Sequence, residues 1–245
     1  MAWYHTIELP GGIVTPGRWD TRHALRKVPF PDSLAGCRCL DVGTYDGFWA
    51  FEMEKRGAAE VVAIDLAEAA SWDWPDPVPG ELLMQWERSK AGNRPFEIAR
   101  EALASKVEHV ELSVYELAPE SLGHFDFVFI GSLLLHLRDP VRALRAIRGI
   151  LRGELLSADQ IALGLSLLQP RVPAANLAGT AAPHWWTPNL AAHRRLVEAA
   201  GFEVKATGGP YFLRPGPGAP PAGHGVRGRL LRHVGVPHAW VRACA

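Results

Sequence analysis

Residues 37–65 read CRCLDVGTYDGFWAFEMEKRGAAEVVAID, and the fold class follows from them. An apolar run, Cys39, Leu40 and Val42, stops at a glycine turn. Residues 48–56 read as a helix with Gly57 as its stop. A second apolar run, Val61, Val62, Ala63 and Ile64, ends on Asp65. This is a strand, loop, helix, strand unit with its chemistry at the strand ends.

Gly43 and Gly47 can adopt backbone angles closed to other residues and let a ligand approach the main chain. Asp65 follows the first glycine by about 20 residues, where a carboxylate at a strand tip reaches ribose hydroxyls. The unit therefore suits an adenosine ligand. A dinucleotide fingerprint places a glycine where Tyr45 stands, and the ring would crowd a pyrophosphate. Asp41 would repel phosphate but suits the amino group and sulfonium of S-adenosylmethionine (SAM). The expected cofactor contacts here are Asp41, Gly43, Thr44, Tyr45, Gly47, Asp65 and Leu66. The plain alternative is an ordinary βαβ turn.

The 245 residues suffice for one full α/β core, with no apolar run near the roughly 18 residues that span a bilayer. Residues 1–10 are neither basic nor followed by a long apolar core, so neither a membrane nor export is expected. Cys37, Cys39 and Cys244 make no disulfide framework and have no companion cluster of metal-ligand spacing; a reducing cytoplasm and no metal are expected. Net charge is zero but uneven. After Glu203 no acid follows, while Lys205, Arg214, Arg227, Arg229, Arg232 and Arg242 are all basic. Residues 214–245 read as a basic Pro/Gly/Arg-rich tail, loosely docked or disordered in preference to an arm for RNA.

Residues 1–34 read as an N-terminal arm of short extended pieces and turns. Its His5 and Trp19 either form a flap over the ligand or pack on the sheet. Residues 35–213 form the main domain. Residues 110–114 are expected as a strand that brings Ser113 and Val114 to the edge shared by Asp41 and Asp65. Residues 125–130, FDFVFI, are a strand buried on both faces, running into Gly131-Ser132. Asp139 and Pro140 start a helix that continues to Gly153, and residues 154–163 supply another strand. Asn189 opens a helix over 190–200. Residues 202–207 and 211–213, joined by Gly208-Gly209-Pro210, read as a closing antiparallel hairpin. The alternation requires a three-layer, Rossmann-like open sheet, mostly parallel, with its ligand at the strands' carboxyl ends.

LDVGTYDGFWAFEMEKRGA, VVAID, FDFVFIGSLLLHLRDPVRAL and AAGFEV, in that order, resemble the class I SAM-dependent methyltransferases. WYHTIELPGGIVTPG and LLLHLRDP resemble more narrowly the branch containing the wobble-uridine tRNA methyl- and carboxymethyltransferases and their uncharacterised bacterial relatives. The broad resemblance implies a seven-stranded sheet whose last strand is antiparallel. It matches Asp41, Gly43, Tyr45 and Gly47 to the glycine motif, Asp65 to the ribose-binding acid, and Gly131-Ser132 to the loop beside the methionine moiety. Ser113 stands where many members carry an acid for the adenine amino group. The Lys-Trp-Arg-rich segment that the narrow branch uses for a carboxylated cofactor is not found here, which favours plain SAM.

Methyl transfer from a sulfonium needs alignment, with a base only for a protonated nucleophile. His136 is the candidate base because histidine titrates near physiological pH; His5 and His184 are lesser candidates, and packing is the competing role. Trp185, Trp186, Asn189 and Tyr211, with His5 and Trp19, are the candidate substrate wall. Metal-assisted transfer is disfavoured, since the strand over 125–130 ends in Gly131-Ser132 without an acid. A small-molecule acceptor is preferred over RNA; a noncatalytic SAM-binding partner protein is the third reading. Oligomeric state is not legible in the residues.

Overall fold

The computed structural model describes residues 2–75, 78–177, 184–220 and 233–245; Arg227, Arg229 and Arg232 of the basic tail lie outside them. The main sheet comprises β1 (Trp3–His5), β2 (Gly17–Asp20), β3 (Arg38–Val42), β4 (Glu60–Asp65) and β5 (Glu108–Glu111). It continues with β6 (Phe125–Gly131), β7 (Leu151–Gln160), β8 (Glu203–Pro215) and β9 (Val236–Cys244). The spatial order is β1-β2-β8-β9-β7-β6-β3-β4-β5. From β7 to β5 every pairing is parallel, and β9 runs antiparallel to both β7 and β8. The seven strands from β8 to β5 thus match the expected sheet, and the N-terminal segment adds two more at the β8 edge.

The longer helices are α1 (Phe48–Lys55), α2 (Gly80–Lys90), α3 (Arg94–Ala102), α4 (Pro140–Ile150) and α5 (Leu190–Ala199). Strand alternation distributes the core. Cys39, Val61, Ala63, Phe127 and Phe129 pack with α1 and α3 on one face. Leu40, Val42, Val62, Ile64, Val128 and Ile130 pack with α4 and α5 on the other. Each large apolar side chain buried this way contributes about 1.5–3 kcal/mol. Asp139 caps α4 by accepting from Arg142 N at 2.9 Å, with Pro140 at the first helical position.

Three expectations are corrected. The closing hairpin is one continuous strand, β8, and its antiparallel partner β9 comes from within residues 214–245, so that stretch supplies a sheet strand and the boundary at 213 falls inside β8. Gly208 makes room for a neighbour: a Cβ there would meet the Trp240 indole of β9 at 2.3 Å. Second, α4 ends at Ile150 and β7 begins directly at Leu151. Gly153 lies inside β7, where a Cβ would fall 2.0 Å from the Asp126 carbonyl, so close strand approach explains the glycine. Third, the strand expected over 110–114 is Glu108–Glu111, leaving Ser113 and Val114 in the turn beyond it. Among the described residues, no helix is long and apolar enough to cross a membrane.

Candidate functional site

A cavity of about 360 Å³ opens at the carboxyl ends of β3, β4 and β6 and beside the turn after β5. Its floor is the turn after β3. Gly43, at φ +76°, and Thr44 both donate to the Ile64 carbonyl, at 2.9 and 3.1 Å, which folds the loop across β4. A Cβ on Gly43 would lie 2.9 Å from the Leu133 side chain. Gly47 lies behind the loop: a Cβ there would strike the Phe51 ring at 2.4 Å. It shapes the turn without lining the cavity, and Thr44 is likewise buried behind it.

Asp41 lines the cavity yet is only 2% exposed, and its Oδ2 has no hydrogen-bond partner among the described residues. Burial pushes its carboxyl up to about 7, opposed by the neighbouring Thr44 hydroxyl and by His5. An unsatisfied buried oxygen costs free energy that a cationic or N–H-bearing ligand would recover. This is the feature that a ligand ammonium fits. Asp65 also lines the cavity, but it is more heavily used than expected. Its Oδ2 accepts from Tyr45 N at 2.7 Å and pairs with Lys90 Nζ, while Oδ1 accepts from Leu66 N at 2.7 Å. A carboxylate offers about four lone-pair directions, so one remains for a ribose hydroxyl. Lys90, at the end of α2, is fully buried and its ammonium lies 4.6 Å from the Tyr45 ring centroid. It was not apparent in the sequence.

Leu66, Ser113 and Val114 line the adjoining wall. Ser113 Oγ accepts from Tyr115 N at 3.3 Å and so caps its own turn. Trp72, Trp74 and Trp86 close over this side, with Trp72 stacked on Trp74 at 5.8 Å and tilted against Trp86 at 5.7 Å. Trp72 and Trp74 belong to a proline-rich stretch, residues 71–80, that carries no motif in the sequence.

Gly131, Ser132 and His136 line the opposite wall. Ser132 sits at φ +51°, a conformation that non-glycine residues seldom hold. Its hydroxyl lies 3.2 Å from His238 Nε2, and His238 Nδ1 lies 2.9 Å from the Val236 carbonyl. Nδ1–H donates to the carbonyl, so the Ser132 hydroxyl donates to Nε2. Burial pushes His238 down to about 4, which keeps it neutral. Asp159, fully buried, holds the turn of Leu134–His136 by accepting from Leu134 N at 2.8 Å.

Of the expected substrate wall, His5 lines the cavity and Trp19, Trp185, Trp186, Asn189 and Tyr211 do not. Asn189 is fully buried, capping α5 through Ala192 N at 2.8 Å and donating to the carbonyls of Gln169 and Val172. Tyr211 is core, its ring 5.6 Å from His238. Trp185 and Trp186 spend their indole N–H groups on the carbonyls of Asp73, at 2.6 Å, and Leu134, at 3.3 Å. Trp19 lies in β2, between β1 and β8, with the Arg18 guanidinium 5.9 Å from its ring. Each is explained by a local packing or backbone bond.

A family model described as a methyltransferase domain matches residues 18–207. The chain belongs to that family. The chain is 28% identical over 181 residues to a tRNA U34 carboxymethyltransferase of Citrifermentans bemidjiense, covering 72% of this chain and 48% of that one. It is 32% identical over 127 residues to a magnesium-protoporphyrin O-methyltransferase of Rhodobacter capsulatus, covering 52% of this chain and 45% of that one. The chain spans about half the length of these curated relatives. Among solved structures, the 1,6-didemethyltoxoflavin-N1-methyltransferase of Burkholderia thailandensis, with bound 1,6-didemethyltoxoflavin and S-adenosylhomocysteine, has the same fold. It superposes with a TM-score of 0.52 at 15% identity, over 85% of this chain and 71% of that one.

Two buried acids tie the stability of the fold to pH. Burial raises Asp41 from 3.8 to about 7, so between those values the folded state holds a proton that the unfolded state has released. Stability contributed by the protonated carboxyl is full below pH 3.8 and is lost as pH rises through about 7. Asp159 is raised in the same way. In urea titrations at several pH values, Asp41→Asn is expected to gain stability relative to wild type from pH 4 to pH 7. A flat difference would mean that Asp41 is solvated.

Proposed function

We propose that the chain transfers a methyl group from SAM to a small-molecule acceptor. The observation that carries this is the unpartnered Asp41 oxygen on the same cavity as Asp65. Asp41 would take the amino group at the cofactor's charged end as a carboxylate, with any proton it holds released to solvent on pairing. Asp65 would accept from the ribose. Leu66, Ser113 and Val114 would flank the adenine, and Gly131 and Ser132 the methionine chain. SAM, once bound, supplies an electrophilic methyl carbon that needs no metal, and no His/Cys/Asp/Glu group able to hold one occurs among the described residues. His136 and His5 both line the cavity, where either would meet an acceptor.

The tRNA-modifying reading draws on the names of relatives. Two observations favour a small acceptor instead. Four tryptophans, Trp49, Trp72, Trp74 and Trp86, line the cavity, which suits a compact apolar or aromatic molecule. Two basic residues at the chain's end are tied to acids, Lys205 to Glu203 at 2.6 Å and Arg242 to Glu154 at 3.6 Å. The test is incubation of the protein with methyl-labelled SAM and cell extract, with and without ribonuclease. Label in a small-molecule fraction that persists after ribonuclease is expected. Label lost with the nuclease, with rates falling steeply in salt, would establish the RNA reading. SAM binding with no label moved would point to a noncatalytic partner protein.

A further inference from the structure

We propose that His5 is the general base of the transfer step and that Asp46 is its positioning residue, an inference that rests on the SAM reading above. Asp46 is fully buried within the glycine turn, between Tyr45 and Gly47. Its Oδ2 accepts from the backbone N–H of Tyr4 and of His5, both at 2.8 Å, and its Oδ1 holds His5 Nδ1. One carboxylate thus fixes both the strand and the ring. With Nδ1–H directed at Oδ1, the lone pair lies on Nε2. The imidazole is stacked on Phe48 at 5.4 Å and meets the Tyr4 ring edge-on at 4.8 Å, so it has little freedom to turn. Beneath it β1 lies flush on β2, since a Cβ on Gly17 would fall 2.2 Å from the His5 backbone.

The ring makes no further hydrogen bond among the described residues, yet His5 lines the cavity near the unpartnered carboxylate of Asp41. A buried carboxylate orienting an imidazole whose other nitrogen faces a ligand cavity is the arrangement of an acid–base catalyst. A purely structural Asp46 would need only the two backbone donors. The charged and titratable groups at the ring are Asp46 and Asp41 from β3 and its turn and Tyr4 on β1; behind them Arg18, Asp159 and Tyr45 interact with Tyr4, and Asp65 with Asp41.

The step balances without a further reagent. A lone pair on the acceptor's O–H or N–H atom forms the new bond to the methyl carbon. The carbon–sulfur bond breaks with its pair left on sulfur, and the acceptor's proton passes to His5 Nε2. Asp46 then faces an imidazolium, and the proton returns to solvent after release of product.

The test combines three measurements on the full chain. Nitrogen-15 NMR of histidine-labelled protein is expected to show His5 as the Nδ1–H tautomer at pH 7.5, and a doubly protonated ring there would overturn the assignment. Calorimetry with SAM is expected to give His5→Gln an affinity within about twofold of wild type; a tenfold loss would make His5 a cofactor ligand instead. With methyl-labelled SAM and ribonuclease-treated extract as acceptor source, His5→Gln should transfer label about 10²–10⁴-fold more slowly and lose the rise of rate with pH. Asp46→Asn should shift that rise, since it releases the tautomer. A wild-type rate in His5→Gln, with SAM still bound, sinks the dyad alone. Wild-type protein that ignores SAM sinks the cofactor reading and the dyad with it.

Discussion

Lys90→Ala is expected to lose about 3–5 kcal/mol of unfolding free energy, the usual cost of stripping one partner from a buried ion pair. The Lys90 side chain is wholly buried, pairs with Asp65 Oδ2 and sits over the Tyr45 ring, so one truncation removes the ion pair, the cation–π contact and the packed stem. What is left is a cavity beside a carboxylate held only by two backbone N–H groups. The interaction also spans the site: α2 is tied through Lys90 to the end of β4 and, through Asp65, to the backbone of the glycine turn. Chemical denaturation checks the loss. Lys90→Met combined with Asp65→Asn should recover part of it, because the double variant leaves no unpaired buried charge. A loss under about 1 kcal/mol would mean that the pair behaves as a solvated surface bridge.

Asp65→Asn is expected to raise the dissociation constant for SAM about 100-fold, close to 2.7 kcal/mol, from one charge-assisted bond to ribose and the disturbed turn together. The substitution keeps the side chain's shape but changes its hydrogen-bonding pattern. One of its two positions becomes a donor facing Lys90 or the backbone N–H of Tyr45 or Leu66. Because Tyr45 sits at φ +54° and is held there partly by Asp65, the turn itself should loosen. Calorimetry gives the affinity and a melting curve gives the loosening. A dissociation constant within threefold of wild type would remove Asp65 from the cofactor site.

The two effects separate what was legible from what was not. Asp41, Gly43, Tyr45 and Asp65 could be read directly, because a strand end, a turn and a strand end lie within one short segment and local chemistry dictates their geometry. Gly131 and Ser132 followed for the same reason. The misreadings came where a residue serves two purposes in principle. Asn189 and Trp186 have side chains suited to ligands, yet bonds to backbone carbonyls consume them. Gly208 looked like a turn because a glycine that opens space for a neighbouring indole carries the same letter as one that reverses the chain. Strand β9 was hidden by its setting, since a Pro- and Arg-rich flank outweighed the short alternation of Ala239, Val241 and Ala243.

The sequence by itself determined the open α/β sheet, the glycine turn and the two acids that line the cavity, since each depends on neighbours within a few residues. Only the tertiary structure decided that Asp46 grips a histidine 41 residues away, that Lys90 neutralises an acid 25 residues away, and that Ser132 meets a histidine 106 residues on. The physical reason is that hydrogen-bond and ion-pair partners are chosen by burial. Once the sheet closes and water is excluded, each buried charge must find a counterpart wherever the chain has brought one, and no local pattern records that choice.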